Sequence, residues 1–148
     1  MTPDKEYVTE RCPIDPFVIP SRELWGNVVP TLRFVRDKIV PTIGTVKIVS
    51  GYRPPEFNKC IGGAPKSAHM SFSAFDMVQV DHDDNVEPIF RKLCQLWERT
   101  PERVEFGLGT YFDANLPKMN STGRFHVDTW GRRTWGFDYT YKSSYCLK

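Results

Sequence analysis

A chain of 148 residues with 20 basic and 18 acidic side chains carries a formal charge of +2, too balanced for nucleic-acid binding to be the default. Its 40% hydrophobic and 14% aromatic content supplies the core of one ordinary domain and excludes a disordered chain. No apolar run approaches the ~20 residues that cross a bilayer, and the opening MTPDKEYVTERCP is polar where a secretory leader is basic and then apolar; neither membrane insertion nor a signal peptide is expected.

Residues 1–20 carry Pro3, Pro13, Pro16 and Pro20 and read as an extended arm on a single domain spanning 21–148. From Ser21 the apolar residues Leu24, Val28, Leu32, Val35 and Ile39 recur at helical spacing. Pro30 divides this stretch into a first turn and a main helix, and Pro41 with Gly44 is expected to stop it. Residues 46–49 form a short strand, 50–68 a long Gly/Pro/Asn loop, and 74–80 a second strand. Pro88 opens another helix whose apolar face is Ile89, Leu93, Leu96 and Trp97, ended by Thr100-Pro101. The last third, from Val104, alternates short β-like runs with Gly, Asn and Pro turns. Helices early and non-repeating strands late predict an α+β fold, an antiparallel sheet with helices packed on one side.

The four cysteines, Cys12, Cys60, Cys94 and Cys146, form no CxxC pair and are sparse for a disulfide scaffold. They read as buried or free thiols, Cys60 as a small apolar residue of its loop. The alternative is one end-to-end pair, Cys12 with Cys146, since chain termini often lie close together. His82 lies in DHDDNVE, where Asp81, Asp83 and Asn85 imitate the start of a calcium loop. Val86 at the sixth position and Lys92 at the twelfth are wrong for calcium, and a solvated turn is expected.

The other two histidines are chemically more suggestive. His69 precedes Asp76 by seven residues, Asp76 falling in the second strand. His126 and Asp128 share one face of a β-like stretch, GRFHVDTW, because side chains alternate along a strand. A catalytic zinc takes three protein ligands at about 2.0–2.2 Å and leaves the fourth position to water, so His69, Asp76 and His126 meet its needs. Taken alone, the same residues read more readily as surface or hydrogen-bonded polar groups than as a metal site.

The wider stretch SGYRPPEFNKCIGGAPKSAHMSFSAFDM, residues 50–77, resembles the signature of the LAS-type zinc peptidases. That group holds D-alanyl-D-alanine carboxypeptidases, phage L-alanyl-D-glutamate endolysins and the hedgehog zinc fold. Ser50-Gly51-Tyr52-Arg53, Phe57-Asn58, Gly62-Gly63, Ser67, His69 and Asp76 stand in the family's order, and FGLGTYF (106–112) and GRFHVDTWGRRTW (123–135) continue the likeness. The resemblance implies a hedgehog/DD-peptidase-like fold and one zinc ion on His69, Asp76 and His126. It gives Arg53 the task of steadying the substrate carbonyl, and Ser67, Tyr52 and Trp135 that of contacting substrate or supporting the ligands.

The implied activity is hydrolysis of peptide bonds in peptidoglycan stem peptides, by a carboxypeptidase or an endolysin-type endopeptidase. A phage-encoded protein fits: a lysin passing from host cytoplasm to the periplasm and wall, or a virion-borne peptidase beside other virion proteins. The alternative is a non-catalytic zinc-binding structural or wall-binding module of a virion.

Two departures matter. Phe72 stands where members commonly have Gly, a change expected to narrow the cleft beside the metal. Gly123 stands where many carry the catalytic acid, leaving Asp128 as the best substitute base and Glu105 and Asp113 as weaker ones. Asp128 lies only two residues from His126, which also suits it to orienting that ligand.

Overall fold

The computed structural model of the protein describes residues 12–15, 17–81, 85–115 and 123–148. Most of the expected arm, and His82 and Asp83 of the calcium-like turn, lie outside those residues.

The first helical segment runs unbroken through four pieces. A 3-10 helix, Arg22–Val28, leads into α1, Val29–Phe34, then a π-turn, Val35–Ile39, then α2, Val40–Ile43. Pro30 sits in the first turn of α1, where its missing N–H costs nothing. Pro41 does not end the helix as expected. The turn before it widens, with the Val40 N–H bonded to the Val35 carbonyl, so the helix passes the proline before Gly44, at φ 89°, stops it. The buried seam is Val28, Thr31, Val35, Ile39 and Ile43. Thr31 takes the place expected of Leu32, which is exposed; its hydroxyl donates to the Ser73 carbonyl at 2.8 Å and so tolerates burial.

Strand β1 is Val46–Ser50 and β2 is Ala74–Gln79. The loop between them is more ordered than expected, holding a short helix, α3, Pro55–Cys60, and a 3-10 turn, Ala68–Ser71. Helix α4, Glu87–Arg99, buries Phe90, Leu93, Cys94 and Trp97, while Ile89 and Leu96 are only partly buried at its edge. Strands β3, Gly107–Thr110, β4, Phe125–Asp128, and β5, Arg133–Trp135, complete a five-stranded sheet in the order β1-β2-β4-β3-β5. All pairings are antiparallel except β3 with β5, which is parallel. The α+β fold with a largely antiparallel sheet is as expected; its one parallel pair follows from the short β4–β5 connection, where Gly131, at φ 112°, lets the chain turn across the end of β3.

Strand alternation divides the sheet's two faces. Phe75 and Met77 of β2, Leu108 of β3 and Phe125 and Val127 of β4 join the core with Ile39, Phe90 and Leu93. Asp76, His126 and Asp128 fall on the opposite face, still buried. Among the described residues no helix is long and apolar enough to cross a membrane.

The cysteines overturn the expectation of free thiols and of a Cys12–Cys146 pair. Cys12 bonds to Cys60 and Cys94 to Cys146, and no cysteine is free. The first bond fastens the chain before Arg22 to α3, where Cys12 packs with Phe57 and Ile14; the second fastens the C-terminal turn to α4.

Candidate metal centre

Three elements converge on one point. In the β2/β4 register Asp76 lies directly opposite His126, and the 3-10 turn entering β2 delivers His69. His69 Nε2, Asp76 Oδ1 and His126 Nδ1 lie 3.2, 3.1 and 3.1 Å from one another, in side chains at most 7% exposed. On a tetrahedral zinc ion, ligand atoms held at about 2.0–2.2 Å are separated by about 3.3–3.6 Å.

The outer nitrogens fix the tautomers. His69 Nδ1–H donates to the Gly51 carbonyl at 2.6 Å, and His126 Nε2–H donates to Asp128 Oδ2 at 2.7 Å. Both imidazoles therefore turn a lone pair inward, toward a carboxylate oxygen. Three acceptors facing one another at hydrogen-bond distance require a positive centre between them, and this donor set fits a zinc ion. The Gly51 carbonyl stands just past a bulge in β1, where the register slips between Ile48 and Ser50.

The surrounding groups reinforce this polarity. Arg53 donates from Nη2 to the other oxygen of Asp76 and from Nε to Ser50 Oγ. Burial works against the Asp76 carboxylate, but the electrostatics of the two adjoining imidazoles hold its pKa well below the usual range. Burial pushes the His69 pKa down; at His126 the hydrogen bond with Asp128 and the charges of the neighbouring carboxylates outweigh burial and raise it. Asp128, fully buried, accepts from His126, from Arg133 Nη2 at 2.7 Å and from the Trp130 N–H at 2.9 Å. Burial raises its pKa, and the bonds from His126 with the Arg133 charge bring it down below the ordinary value.

Two glycines make room for this arrangement. Gly109 faces His126 and Gly107 faces Asp128 in the β3/β4 register. A Cβ on Gly109 would lie 2.9 Å from both His126 Cβ and Trp135 Nε1, and one on Gly107 only 2.4 Å from Asp128 Oδ1. The Gly62-Gly63 pair works similarly: a Cβ on Gly63 would lie 2.1 Å from the buried Asn58 Oδ1, while Asn58 Nδ2 donates to the Ala64 carbonyl.

The three acceptor atoms open into a cleft of about 570 Å³. Arg53, Ser67, Trp135 and Asp128, four of the residues the sequence singled out, line it. Trp135 lies 5.0 Å from the His126 ring and donates from Nε1 to Tyr111 Oη at 3.3 Å. Ser67 Oγ accepts from the His69 N–H, capping its turn. Tyr52 lies elsewhere. With Phe72 it borders a second cavity, of about 330 Å³, between Phe17–Pro20 and Phe57. Phe72 adopts the left-handed conformation a glycine would favour, at φ 57°, but its ring lies among Tyr52 and Phe75 and does not narrow the metal cleft. Glu105 and Asp113 do not line the cleft; Asp113 pairs with Lys148.

Sequence reasoning gave no role to Arg133, Tyr111, Tyr139 or Tyr141, all of which line the cleft. Arg133 stood inside the quoted GRFHVDTWGRRTW stretch and Tyr111 inside FGLGTYF, whereas nothing local in the sequence marks Tyr139 or Tyr141.

An α+β sheet with a buried His-Asp-His cluster at the floor of a cleft is the architecture expected of the LAS-type zinc peptidases. Residues 28–99 match the model of the family described as Peptidase M15, a zinc peptidase family of this type, so the resemblance read from the sequence is borne out. The match includes Arg53, His69 and Asp76 and ends before His126 and Asp128. Neither a curated protein nor a solved structure matches the chain.

Proposed function

We propose that the protein is a zinc metallopeptidase that hydrolyses peptide bonds in peptidoglycan stem peptides, with His69, Asp76 and His126 as the zinc ligands. The observation that carries this reading is the triangle of inward lone pairs at 3.1–3.2 Å, opening into a cleft beside a fixed arginine. A bound zinc ion supplies Lewis acidity there, polarising a carbonyl and making a water more acidic.

The chain's own residues do the rest. Arg53, anchored to Asp76 and Ser50 and lining the cleft, offers a fixed guanidinium to the negative charge that develops on the substrate carbonyl oxygen. Asp128 keeps the proton of His126 on Nε2 and so keeps Nδ1 free for the metal. Among the described residues lining the cleft it is also the one carboxylate besides Asp76, and so the one left for proton transfer. The phage-borne lysin or virion peptidase inferred from the sequence is the setting we favour.

Gly123 supports a second reading, a non-catalytic zinc-binding structural or wall-binding module, because no acid occupies that position. Incubation of the zinc-loaded protein with purified peptidoglycan separates the two. New amino or carboxyl termini that are absent with His126→Ala support the peptidase; bound zinc without cleavage sinks it in favour of the second reading.

A further inference from the structure

One wall of the cleft is built of exposed aromatic rings. Tyr139 and Tyr141 line it while remaining 56% and 57% exposed, far more than an aromatic ring needs for packing. Tyr111 lies beneath Tyr139, ring centroids 6.4 Å apart, and the Arg124 guanidinium covers Tyr111 at 4.6 Å.

The rings are held out by a constructed loop. Asp138 Oδ1 accepts from the Thr140 N–H at 2.8 Å, from Thr140 Oγ1 at 2.8 Å and from Ser143 Oγ. Gly136 approaches Ser143 so closely that a Cβ there would lie 2.1 Å from the Ser143 carbonyl. Tyr139 itself sits at φ 61°, a left-handed conformation that a bulky residue rarely adopts. A segment folded this tightly, with its apolar rings facing solvent along the mouth of the site, suits a ligand surface better than a packing element.

From this geometry we infer that Tyr139 and Tyr141 form a saccharide subsite, taking a sugar ring to which the cleaved peptide is attached. A pyranose ring presents a face of C–H bonds and an edge of hydroxyls. The negative face of each tyrosine ring attracts the first, and the phenolic hydroxyl bonds the second. Lys66 and Arg124 line the same cleft and complement the carboxylates of the attached peptide. The subsite rests on the stem-peptide reading above and extends it: the enzyme recognises the glycan end as well as the peptide.

The test compares kcat/KM for a free stem peptide with that for the same peptide carried on N-acetylmuramic acid, in the native protein and in Tyr139→Ala/Tyr141→Ala. The expected result is a preference of about ten-fold for the sugar-linked substrate, falling to near one in the variant. A native ratio near one, or a ratio the variant keeps, overturns the subsite; the second outcome, with both substrates slowed alike, assigns the rim to the peptide. Titrating the native protein with the peptide-free disaccharide, followed by NMR, gives a readout independent of cleavage. Shifts confined to Tyr139, Tyr141 and their neighbours support the subsite even where no peptide is cut, an outcome that sinks only the peptidase reading. No shift and no cleavage overturn both.

Discussion

Replacing Asp128 with Asn tests how the histidine ligands are held. The substitution keeps the shape of a side chain that is fully buried and accepts from three donors: His126 Nε2–H, Arg133 Nη2 and the Trp130 N–H. An amide has one acceptor oxygen instead of two. With its NH2 toward His126, that group meets two donors, and His126 escapes by moving its proton to Nδ1. That removes the lone pair from the Asp76–His69 cluster. With the amide turned round, the Trp130 N–H loses its acceptor, and the negative charge beside His126 is lost in either case. Removing the outer partner of a metal-ligating histidine typically costs 10–100-fold in metal affinity, or about 1.4–2.8 kcal/mol. A zinc competition titration against a chromophoric chelator measures this, with circular dichroism of the metal-free proteins verifying the fold. Affinity within about two-fold of the unaltered protein, in a folded variant, would refute Nδ1 as the metal-facing atom of His126.

Three further outcomes follow from the same geometry. Gly107→Ala should weaken zinc binding in the same direction as Asp128→Asn and also lower the melting temperature, because its Cβ intrudes 2.4 Å from Asp128 Oδ1; unchanged affinity in the same titration would contradict the close approach. Breaking the Cys12–Cys60 bond, which spans 48 residues, should cost about 4 kcal/mol by loop-closure entropy. Calorimetry of Cys12→Ser/Cys60→Ser should show a melting point lower by about 10 °C; alkylation of four thiols in the unreduced, denatured protein would show instead that neither bond exists. Phe72→Gly should leave peptide cleavage within about two-fold, because the ring lies outside the metal cleft, while lowering stability by about 1–2 kcal/mol in urea titrations as ring burial is lost and left-handed strain relieved. A collapse in cleavage with the fold intact would return Phe72 to the site.

Those features that depend on local pattern were readable in the sequence. The second strand and the helix after it announced themselves by alternation and helical spacing. His126 and Asp128 could be put on one sheet face because side chains alternate, and the SGYR, GG and S-x-H motifs marked the loop that delivers His69. Features set by chain crossings were not readable. Nothing in the spacing of Cys12, Cys60, Cys94 and Cys146 encodes which partners meet, and the pairing depends on where α3 and α4 lie. Pro41 was a sound stop signal defeated by a π-turn, a backbone adjustment that residue type does not announce. Tyr52 belongs to the SGYR motif yet faces the other cavity, since adjacent residues in an extended stretch point opposite ways and Arg53 takes the side toward Asp76. No motif marked Tyr139 and Tyr141, which reach the cleft only through the folded path of the chain after β5.

The decisive property of this protein is whether one zinc ion sits among His69, Asp76 and His126. Native mass spectrometry of the protein prepared without chelators, beside His69→Ala, Asp76→Ala and His126→Ala, counts the metal. One zinc per chain, lost in each of the three variants while they remain folded, is the predicted result. A chain that carries no zinc, or one whose zinc survives all three substitutions, would contradict it.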